Sequence, residues 1–168
     1  MARGARSPLS SGVVLREVRK GDLPIFFEQQ LDPEANYMAA FTAKEPTDQE
    51  AFMTHWRKIL ADERITIRTI AYHDHIAGHI LSHDWFGEPE VSYWIGKESW
   101  GKGIATAALT AFLSVVTTRP LYGRAVKDNI ASIRVLQKCG FTISGYDKGF
   151  ANARGAEVEE VILKLRGE

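Results

Sequence analysis

A glycine-rich segment in the middle of the chain carries the residues best suited to bind a phosphorylated ligand. It lies between an apolar run and an alanine-rich run, and it reads Trp94-Ile95-Gly96-Lys97-Glu98-Ser99-Trp100-Gly101-Lys102-Gly103-Ile104-Ala105. Glycines at such a junction allow the backbone N–H groups to converge on one point, and the following helix adds its partial positive charge. The segment therefore predicts a main-chain cradle for the diphosphate of a nucleotide-containing cofactor.

Two common nucleotide motifs do not fit this segment. Gly96, Gly101 and Lys102 have the spacing of a P-loop, but Gly103 occupies the position of the hydroxyl that binds magnesium. A dinucleotide-binding motif needs Gly or Ala three residues after Gly103, and the chain has Thr106 there. The segment also follows no clear βαβ unit. Both motifs are therefore excluded.

Two segments of the chain resemble the cofactor motifs of the GNAT superfamily of N-acetyltransferases. Trp100 to Ala105 resembles the Gln/Arg-x-x-Gly-x-Gly/Ala loop of that family. Asn129-Ile130-Ala131-Ser132 and Gln137-Lys138-Cys139-Gly140-Phe141 resemble its second cofactor segment, Asn-x-x-Ser ending in Lys-x-Gly-Phe. Trp100, where the wider family carries Gln or Arg, is similar to the RimJ/RimL-type branch that acetylates ribosomal-protein N-termini. The resemblance covers residues 12 to 166.

The resemblance implies a fold and a set of cofactor contacts. The fold is of the α/β (α+β) class, with a mixed sheet of about seven strands that is flanked by about four helices and splayed at the cofactor site. Backbone groups near the end of the splayed strand would bind pantetheine, and one N–H would face the thioester oxygen. Acetyl-CoA is the implied co-substrate, and its expected contacts are Trp94, Ile95, Gly96, Lys97, Trp100, Gly101, Lys102, Gly103, Ile104, Ala105, Thr106, Asn129 and Ser132.

Glu90 is the predicted general base, because relatives in the RimJ/RimL-type branch carry a glutamate at this position. It lies near the start of the strand that leads into the glycine segment. An α-amine titrates near ~7.7–8.0, so a carboxylate acting through a water is enough to remove its proton at neutral pH. The alternative is a solvated glutamate beside Pro89 at the start of a strand.

Ser132 is the predicted hydroxyl for the departing thiol. Many members of the family carry a tyrosine seven residues after the asparagine of the second segment, and here that position is Leu136. Ser132 would then protonate or hydrogen-bond the sulfur, or it is simply a hydroxyl in the first turn of a helix. Asn129 has two compatible roles, as the helix N-cap and as a pantetheine contact.

The remaining reactive residues predict no further site. His73, His75, His79 and His83 lie within one hairpin, but neither a cysteine nor a carboxylate completes a known ligand spacing, so no metal is expected. His79 and His83 share a strand face and could line the acceptor side. Cys139 occupies an apolar helix position and is assigned to the core. The acceptor pocket could be walled by aromatic residues, namely Trp56, Trp85, Phe86, Trp94 and Trp100.

Composition limits the classes of partner. The chain has 168 residues, and its 21 basic residues balance 21 acidic ones, so nothing favours nucleic acid or an anionic membrane. One cysteine excludes an internal disulfide and fits a reducing cytoplasm. We expect a disordered tail over residues 1–11, a single domain over 12–168, and a monomer or homodimer.

Local patterns predict the order β-α-α-β-β-β-α-β-α-β-β. Asp22 is the expected N-cap of a helix that ends near Leu31, and the capping box Thr47 to Glu50 opens a second helix. Alternation predicts a hairpin of residues 65–72 and 76–83, a strand over 90–95 and a final hairpin of 142–150 and 157–165. Ile130, Ile133 and Leu136 are expected to face inward from the last helix.

These features together predict an acetyl-CoA-dependent N-acetyltransferase that acts on a primary amine by direct attack. A protein N-terminus is the acceptor that the resemblance implies, and small amines, polyamines and antibiotics are chemically similar. A non-catalytic acyl-CoA-binding module is the alternative from another class. Acidic residues are expected beside the acceptor cleft and would favour a cationic amine; they are Glu88, Glu90, Asp147, Glu157 and Glu159.

Overall fold

The computed structural model describes residues 11–84 and 87–167. The strands are β1 Val13–Arg16, β2 Thr66–Tyr72, β3 His75–His83, β4 Glu90–Ile95, β5 Leu121–Val126, β6 Thr142–Ala151 and β7 Ala156–Leu165. The α-helices are α1 Leu23–Leu31, α2 Pro33–Ala39, α3 Gln49–Ala61, α4 Ile104–Phe112 and α5 Ile130–Lys138, with 3₁₀ turns at Lys20–Asp22 and Lys97–Ser99. The tail predicted over residues 1–11 lies almost entirely outside the described residues, as do Trp85 and Phe86.

The strands form one seven-stranded mixed sheet in the order β1-β2-β3-β4-β5-β7-β6. All neighbours are antiparallel except β4 and β5, which run parallel. One register pair, Glu90 with Tyr122, is recorded between those two strands among the described residues, and the Tyr122 N–H donates to the Pro89 oxygen at 2.9 Å. Beyond that pair the strands separate, which confirms the expected splayed sheet.

The two faces of the sheet bury different helices. Side chains alternate along a strand, and register partners point to the same face, so the pairings assign each residue to a face. The face that carries Ile67 and Leu81 packs against α1 and α3, through Leu23, Phe26, Trp56 and Ile59. The opposite face, which carries Val91 and Leu163, packs against α4 and α5 through Ile104, Ala108, Leu109, Phe112 and Leu136. We call these the α1 face and the α5 face.

Four local predictions differ from the structure. Pro33 begins α2 instead of only stopping α1, because Asp32 caps it by accepting the Ala35 N–H at 2.9 Å. This fifth helix exceeds the expected four. Asp48, not Thr47, caps α3. Asp22 is the N-cap residue of α1 as expected, but its carboxylate bonds no N–H of that helix, because it is buried and bonded to Arg16, Thr69 and the Arg19 N–H. Ile130 is 52% exposed instead of facing inward.

A polar clamp ties the β6–β7 turn to α2 and to the segment before α5. Arg154 forms two hydrogen bonds of 3.0 Å with the carboxylate of Asp128, and its Nε donates to the Tyr37 oxygen at 2.7 Å. The guanidinium also lies 3.8 Å from the centre of the Tyr37 ring. Because the bond to Tyr37 joins residues 117 positions apart, it fixes α2 against the C-terminal strands.

Candidate active site

The glycine segment has the backbone geometry of an anion cradle. Gly101 and Gly103 have φ of 76° and 75°, and a Cβ at either would meet no described atom within 4 Å. Gly103 is the N-cap of α4 and provides no side-chain cap, so the first N–H groups of the helix are left for another acceptor. The positive φ angles explain why glycine is needed here, and the open space is where a diphosphate would fit.

Backbone groups of β4 point into the gap between β4 and β5. The Gly96 N–H donates to the Ala77 oxygen at 2.8 Å, so even-numbered residues of β4 are bonded to β3. By alternation, the peptide groups of Tyr93 and Ile95 point the other way, toward the splayed side. We expected backbone contacts from Trp94, Ile95 and Gly96. The register directs the peptide groups of Ile95, and also those of Tyr93, toward the gap, and it turns Trp94 and Gly96 toward β3.

Side chains around the cradle have partners within the protein. The Trp100 indole donates to the Ile95 oxygen at 2.8 Å and so fixes the last peptide of β4. Lys97 pairs with Glu34 of α2 at 2.8 Å, and the Lys102 ammonium lies 6.0 Å from the centre of the Tyr72 ring. The Trp94 indole nitrogen is enclosed, and no described residue accepts its hydrogen.

Glu90 lies at the point where the sheet splays, and its side chain is on the α1 face. It is 5% exposed and pairs with Arg124 of β5, whose Nε lies 3.1 Å from Oε2. Nη1 of the same guanidinium contacts Glu160 at 3.2 Å and Asp147 at 3.3 Å. Burial raises the pKa of Glu90 and Arg124 partly offsets this effect. The same two causes act on Glu160, whose pKa is also raised.

The acidic surroundings of the cleft differ from those expected. Asp147 contacts the same Arg124 guanidinium as Glu90, but Glu157 and Glu159 are on the α5 face. There they form exposed pairs with Lys148 at 3.9 Å and with Lys127 at 3.2 Å. Sequence analysis missed Glu160 and Arg124. The alternation of β7 around Glu159 is the signal that could have identified Glu160, since neighbouring residues of a strand point to opposite faces.

Ser132 lies on the other side of β4 from Glu90. Its backbone N–H is capped by the Asn129 side chain at 3.2 Å, which confirms Asn129 as the N-cap of α5. The Asn129 amide also donates to the Met38 oxygen at 3.4 Å. The Ser132 hydroxyl is paired at 2.9 Å with the hydroxyl of Tyr93, a residue that sequence analysis did not select. Leu136 is 1% exposed and belongs to the core, so this position supplies no hydroxyl.

The histidines of the β2–β3 hairpin differ in burial, since His73 and His75 are exposed and His83 is buried. No cluster of possible metal ligands occurs in the part of the chain that the structure describes. His79 lies between the rings of Phe26 and Trp56, 4.8 Å from each, and burial lowers its pKa to about 3. His83 is 6% exposed and is the register partner of Glu90. Burial also lowers the pKa of His83, although Asp84 partly opposes this. Both histidines therefore lie on the α1 face as neutral side chains at neutral pH.

The sequence matches the model of a known domain family. The model of the acetyltransferase (GNAT) domain matches residues 13–142, which include β4, the glycine segment and α5. The chain therefore belongs to the GNAT acetyltransferase family, and it is an acyltransferase by class. A comparison with curated proteins found no match.

Solved structures with the same fold include acetyltransferases of several substrates. RimL, a ribosomal L7/L12 alpha-N-protein acetyltransferase, has 18% identity and a TM-score of 0.77, over 95% of this chain and 93% of its own. RimJ of Mycobacterium smegmatis, in complex with CoA-disulfide, has 21% identity and a TM-score of 0.75, over 94% and 83%. Spermidine N-acetyltransferase of Vibrio cholerae, in complex with CoA and spermine, has 18% identity and a TM-score of 0.75, over 92% and 96%. At these identities the likeness establishes the fold.

Proposed function

We propose that this protein transfers an acetyl group from acetyl-CoA to a primary amine by direct attack, without a covalent enzyme intermediate. The observation that carries the proposal is the arrangement around the splayed sheet. Glu90 lies on one face of β4, and Ser132 lies beyond the other face. Peptide groups of β4 point into the gap between β4 and β5. The open cradle at Gly101 and Gly103 would hold the diphosphate. Acetyl-CoA supplies the activated acetyl group.

Each group in this arrangement has a distinct task. Glu90 accepts the amine proton through a water, because its carboxylate lies on the α1 face at the point where β4 and β5 separate. Backbone N–H groups of β4 hydrogen-bond the thioester oxygen and stabilise the charge that develops on it, and such donors are typically worth ~10²–10³ in rate. The Ser132 hydroxyl hydrogen-bonds the departing sulfur. The Glu90 carboxylate and the Ser132 hydroxyl thus act from opposite faces of β4.

The direct test is thiol release from acetyl-CoA, measured with the full chain over a panel of amines and alcohols. The panel contains peptides with free and blocked N-termini, a polyamine, an aminoglycoside and matched alcohols. We expect release with amines only. The alternative, a non-catalytic acyl-CoA-binding module, predicts that acetyl-CoA stabilises the protein and that no amine on the panel increases thiol release.

The acceptor is proposed to be cationic, with a protein N-terminus as the first candidate. Three carboxylates, those of Glu90, Glu160 and Asp147, surround the guanidinium of Arg124, so acidic groups outnumber that cation on the α1 face. The resemblance of Trp100 and its neighbours to the RimJ/RimL-type branch supports the N-terminal acceptor. The fold shared with the spermidine N-acetyltransferase solved in complex with CoA and spermine supports polyamines as the second candidate.

Salt is expected to raise the KM of the amine acceptor while acetyl-CoA is saturating. The reason is that screening weakens the attraction between a cationic acceptor and the exposed carboxylate of Asp147, since the Debye length falls from about 10 Å at 0.1 M to about 3 Å at 1 M. Initial rates over a range of acceptor concentrations measure the effect. An acceptor KM that is equal at low and high salt would contradict the charge argument.

The acceptor kcat/KM is expected to rise with pH through the pKa of Glu90. Burial raises this pKa, so the carboxylate becomes protonated, and the rate falls, at a higher pH than for an exposed glutamate. The sign follows because only the deprotonated form accepts a proton. A pH–rate profile of the wild-type protein and of Glu90→Gln measures this. The same ascending limb in both proteins would assign the titration to another group.

Location and chain organisation stay predictions. No helix within residues 11–84 and 87–167 is long and apolar enough to cross a bilayer. We propose the cytoplasm on the strength of the single cysteine and the expected use of acetyl-CoA. The proposed organisation is a tail over residues 1–11, one domain over 12–168, and a monomer or homodimer without nucleic-acid or membrane partners.

A further inference from the structure

Tyr93 reaches from β4 to the first turn of α5. Its hydroxyl lies 2.9 Å from the Ser132 hydroxyl and 3.4 Å from the Ser132 carbonyl oxygen. The ring packs against the buried cluster on the α5 face, so its position is fixed by the core. The backbone of the same residue borders the gap between β4 and β5. One residue therefore contributes a peptide group to the gap and a hydroxyl to the serine beside it.

We propose that Tyr93 is a positioning residue that orients the Ser132 hydroxyl toward the departing thiolate. This inference rests on the acetyl-transfer function proposed above. A carbonyl oxygen can only accept a hydrogen bond, and both oxygens near the Tyr93 hydroxyl belong to Ser132. In the proposed arrangement the tyrosine hydrogen is donated to the nearer of these oxygens, the Ser132 hydroxyl at 2.9 Å, and not to the carbonyl oxygen at 3.4 Å. The serine hydrogen then points away from Tyr93 and is available to the sulfur.

The tyrosine remains protonated while it performs this task. Burial, with a further contribution from Cys139, raises the pKa of Tyr93 to about 12, although the bond to Ser132 partly opposes the rise. Cys139 itself faces α4, where its Sγ lies 3.6 Å from the Thr110 hydroxyl and 3.8 Å from the Thr106 oxygen. The pair of hydroxyls is thus neutral throughout the range in which an amine is acetylated.

The pair stabilises the thiolate by hydrogen bonding and does not protonate it. A thiol titrates near ~8.5, taking cysteine as the model, so moving a proton from Tyr93 to the sulfur is unfavourable by a factor of more than about 10³. In the step itself, the amine nitrogen bonds to the acetyl carbon, the carbon–sulfur bond breaks, and its electron pair stays on sulfur. The amine proton leaves through water to Glu90, and the sulfur receives the Ser132 hydrogen bond.

The kinetic test is a double-mutant cycle of Tyr93→Phe and Ser132→Ala. Tyr93→Phe keeps the ring in the core and removes only the hydroxyl, so we expect kcat to fall about 3–10-fold, as for one lost hydrogen bond, with KM for acetyl-CoA unchanged. The double variant should be no slower than Ser132→Ala alone, because the tyrosine acts through the serine. Multiplicative losses, or a change confined to KM, would overturn the proposal.

Tyr72→Phe is the matched control, since Tyr72 is also half-buried against the same cluster and lies on β2, away from Ser132. It should leave kcat within about twofold of wild type, because it removes a hydroxyl and breaks no contact with α5. A loss in Tyr72→Phe equal to that in Tyr93→Phe would attribute both effects to the core and would contradict the positioning role.

A binding measurement tests, independently of turnover, whether the Tyr93 and Ser132 hydroxyls act together on the thiolate. Calorimetry compares CoA with desulfo-CoA, which lacks the sulfur, between pH 7 and pH 10. If the serine hydrogen contacts the thiolate, wild type should gain about 3–10-fold in preference for CoA as the thiol ionises, and both Tyr93→Phe and Ser132→Ala should lose the gain. Equal preference at every pH in wild type would overturn the inference but leave the proposed acetyl transfer standing. Binding of neither ligand would contradict the proposed function itself.

Discussion

Replacing Glu90 by glutamine is expected to lower kcat by roughly 10²–10⁴-fold and to leave the affinity for acetyl-CoA nearly unchanged. Glutamine keeps the shape of the side chain but cannot accept the amine proton. The fold should survive, because Arg124 keeps its contacts with Glu160 and Asp147. The measurement is steady-state kinetics with the best amine from the panel, together with the stabilisation of each protein by acetyl-CoA.

Glu160→Gln is the matched control for this experiment. Glu160 also contacts Arg124, and its pKa is raised for the same reasons, but it lies on β7 and not at the start of β4. The same substitution there should reduce kcat far less than Glu90→Gln does. A large loss in Glu160→Gln with a near-wild-type rate in Glu90→Gln would assign the base to Glu160.

Replacing Gly103 by aspartate is expected to abolish stabilisation by CoA and by acetyl-CoA. Aspartate tolerates positive φ better than most residues, and no described atom would contact its Cβ, so the fold should form. Its carboxylate would cap the free N–H groups of α4 and repel the diphosphate. Two like charges 4 Å apart at an effective dielectric constant of 20 cost about 4 kcal/mol, or about a thousandfold in Kd.

Thermal shift measures this effect, with Gly155→Asp as the control. Gly155 has φ of 62° in the β6–β7 turn, and its Cβ position is also open among the described residues, so the two substitutions impose the same backbone demand. CoA should raise the Tm of wild type and Gly155→Asp but not that of Gly103→Asp. If ATP or NAD stabilises the wild-type protein and CoA does not, the cofactor assignment is wrong.

Features set by neighbouring residues could be predicted from the sequence. The glycine segment, the N-cap at Asn129 and the final hairpin all depend on local turn and cap chemistry, and the structure contains each of them. The helix at Pro33 was missed although its local signal was present, because Asp followed by Pro can open a helix as well as follow one. Local pattern together with the family resemblance was therefore enough for the fold.

Features set by pairing between distant strands could not be predicted in the same way. Arg124 contacts Glu90 across 34 positions of sequence and Glu160 across 36. The placement of Glu157 and Glu159 depended on which residues of β7 point to the α1 face, and a shift of one residue reverses that assignment. The contact between Tyr93 and Ser132 likewise requires α5 to pack on the face of β4 opposite Glu90. Alternation indicates only that Glu159 and Glu160 point to opposite faces, and the pairing of β7 with β5 decides which of them faces Glu90.

Among the described residues, one register pair joins β4 and β5, which has a consequence for local unfolding of the sheet. The sheet consists of two blocks, β1–β4 and β5–β7, and the backbone hydrogen bonds that would join them are largely missing at this boundary. Side-chain contacts cross the boundary at Glu90–Arg124 and at Tyr93–Ser132. A ligand in the gap would bond to both blocks and make them unfold as one cooperative unit. Native-state hydrogen exchange should therefore slow in both blocks together when CoA binds, including amides far from the glycine segment.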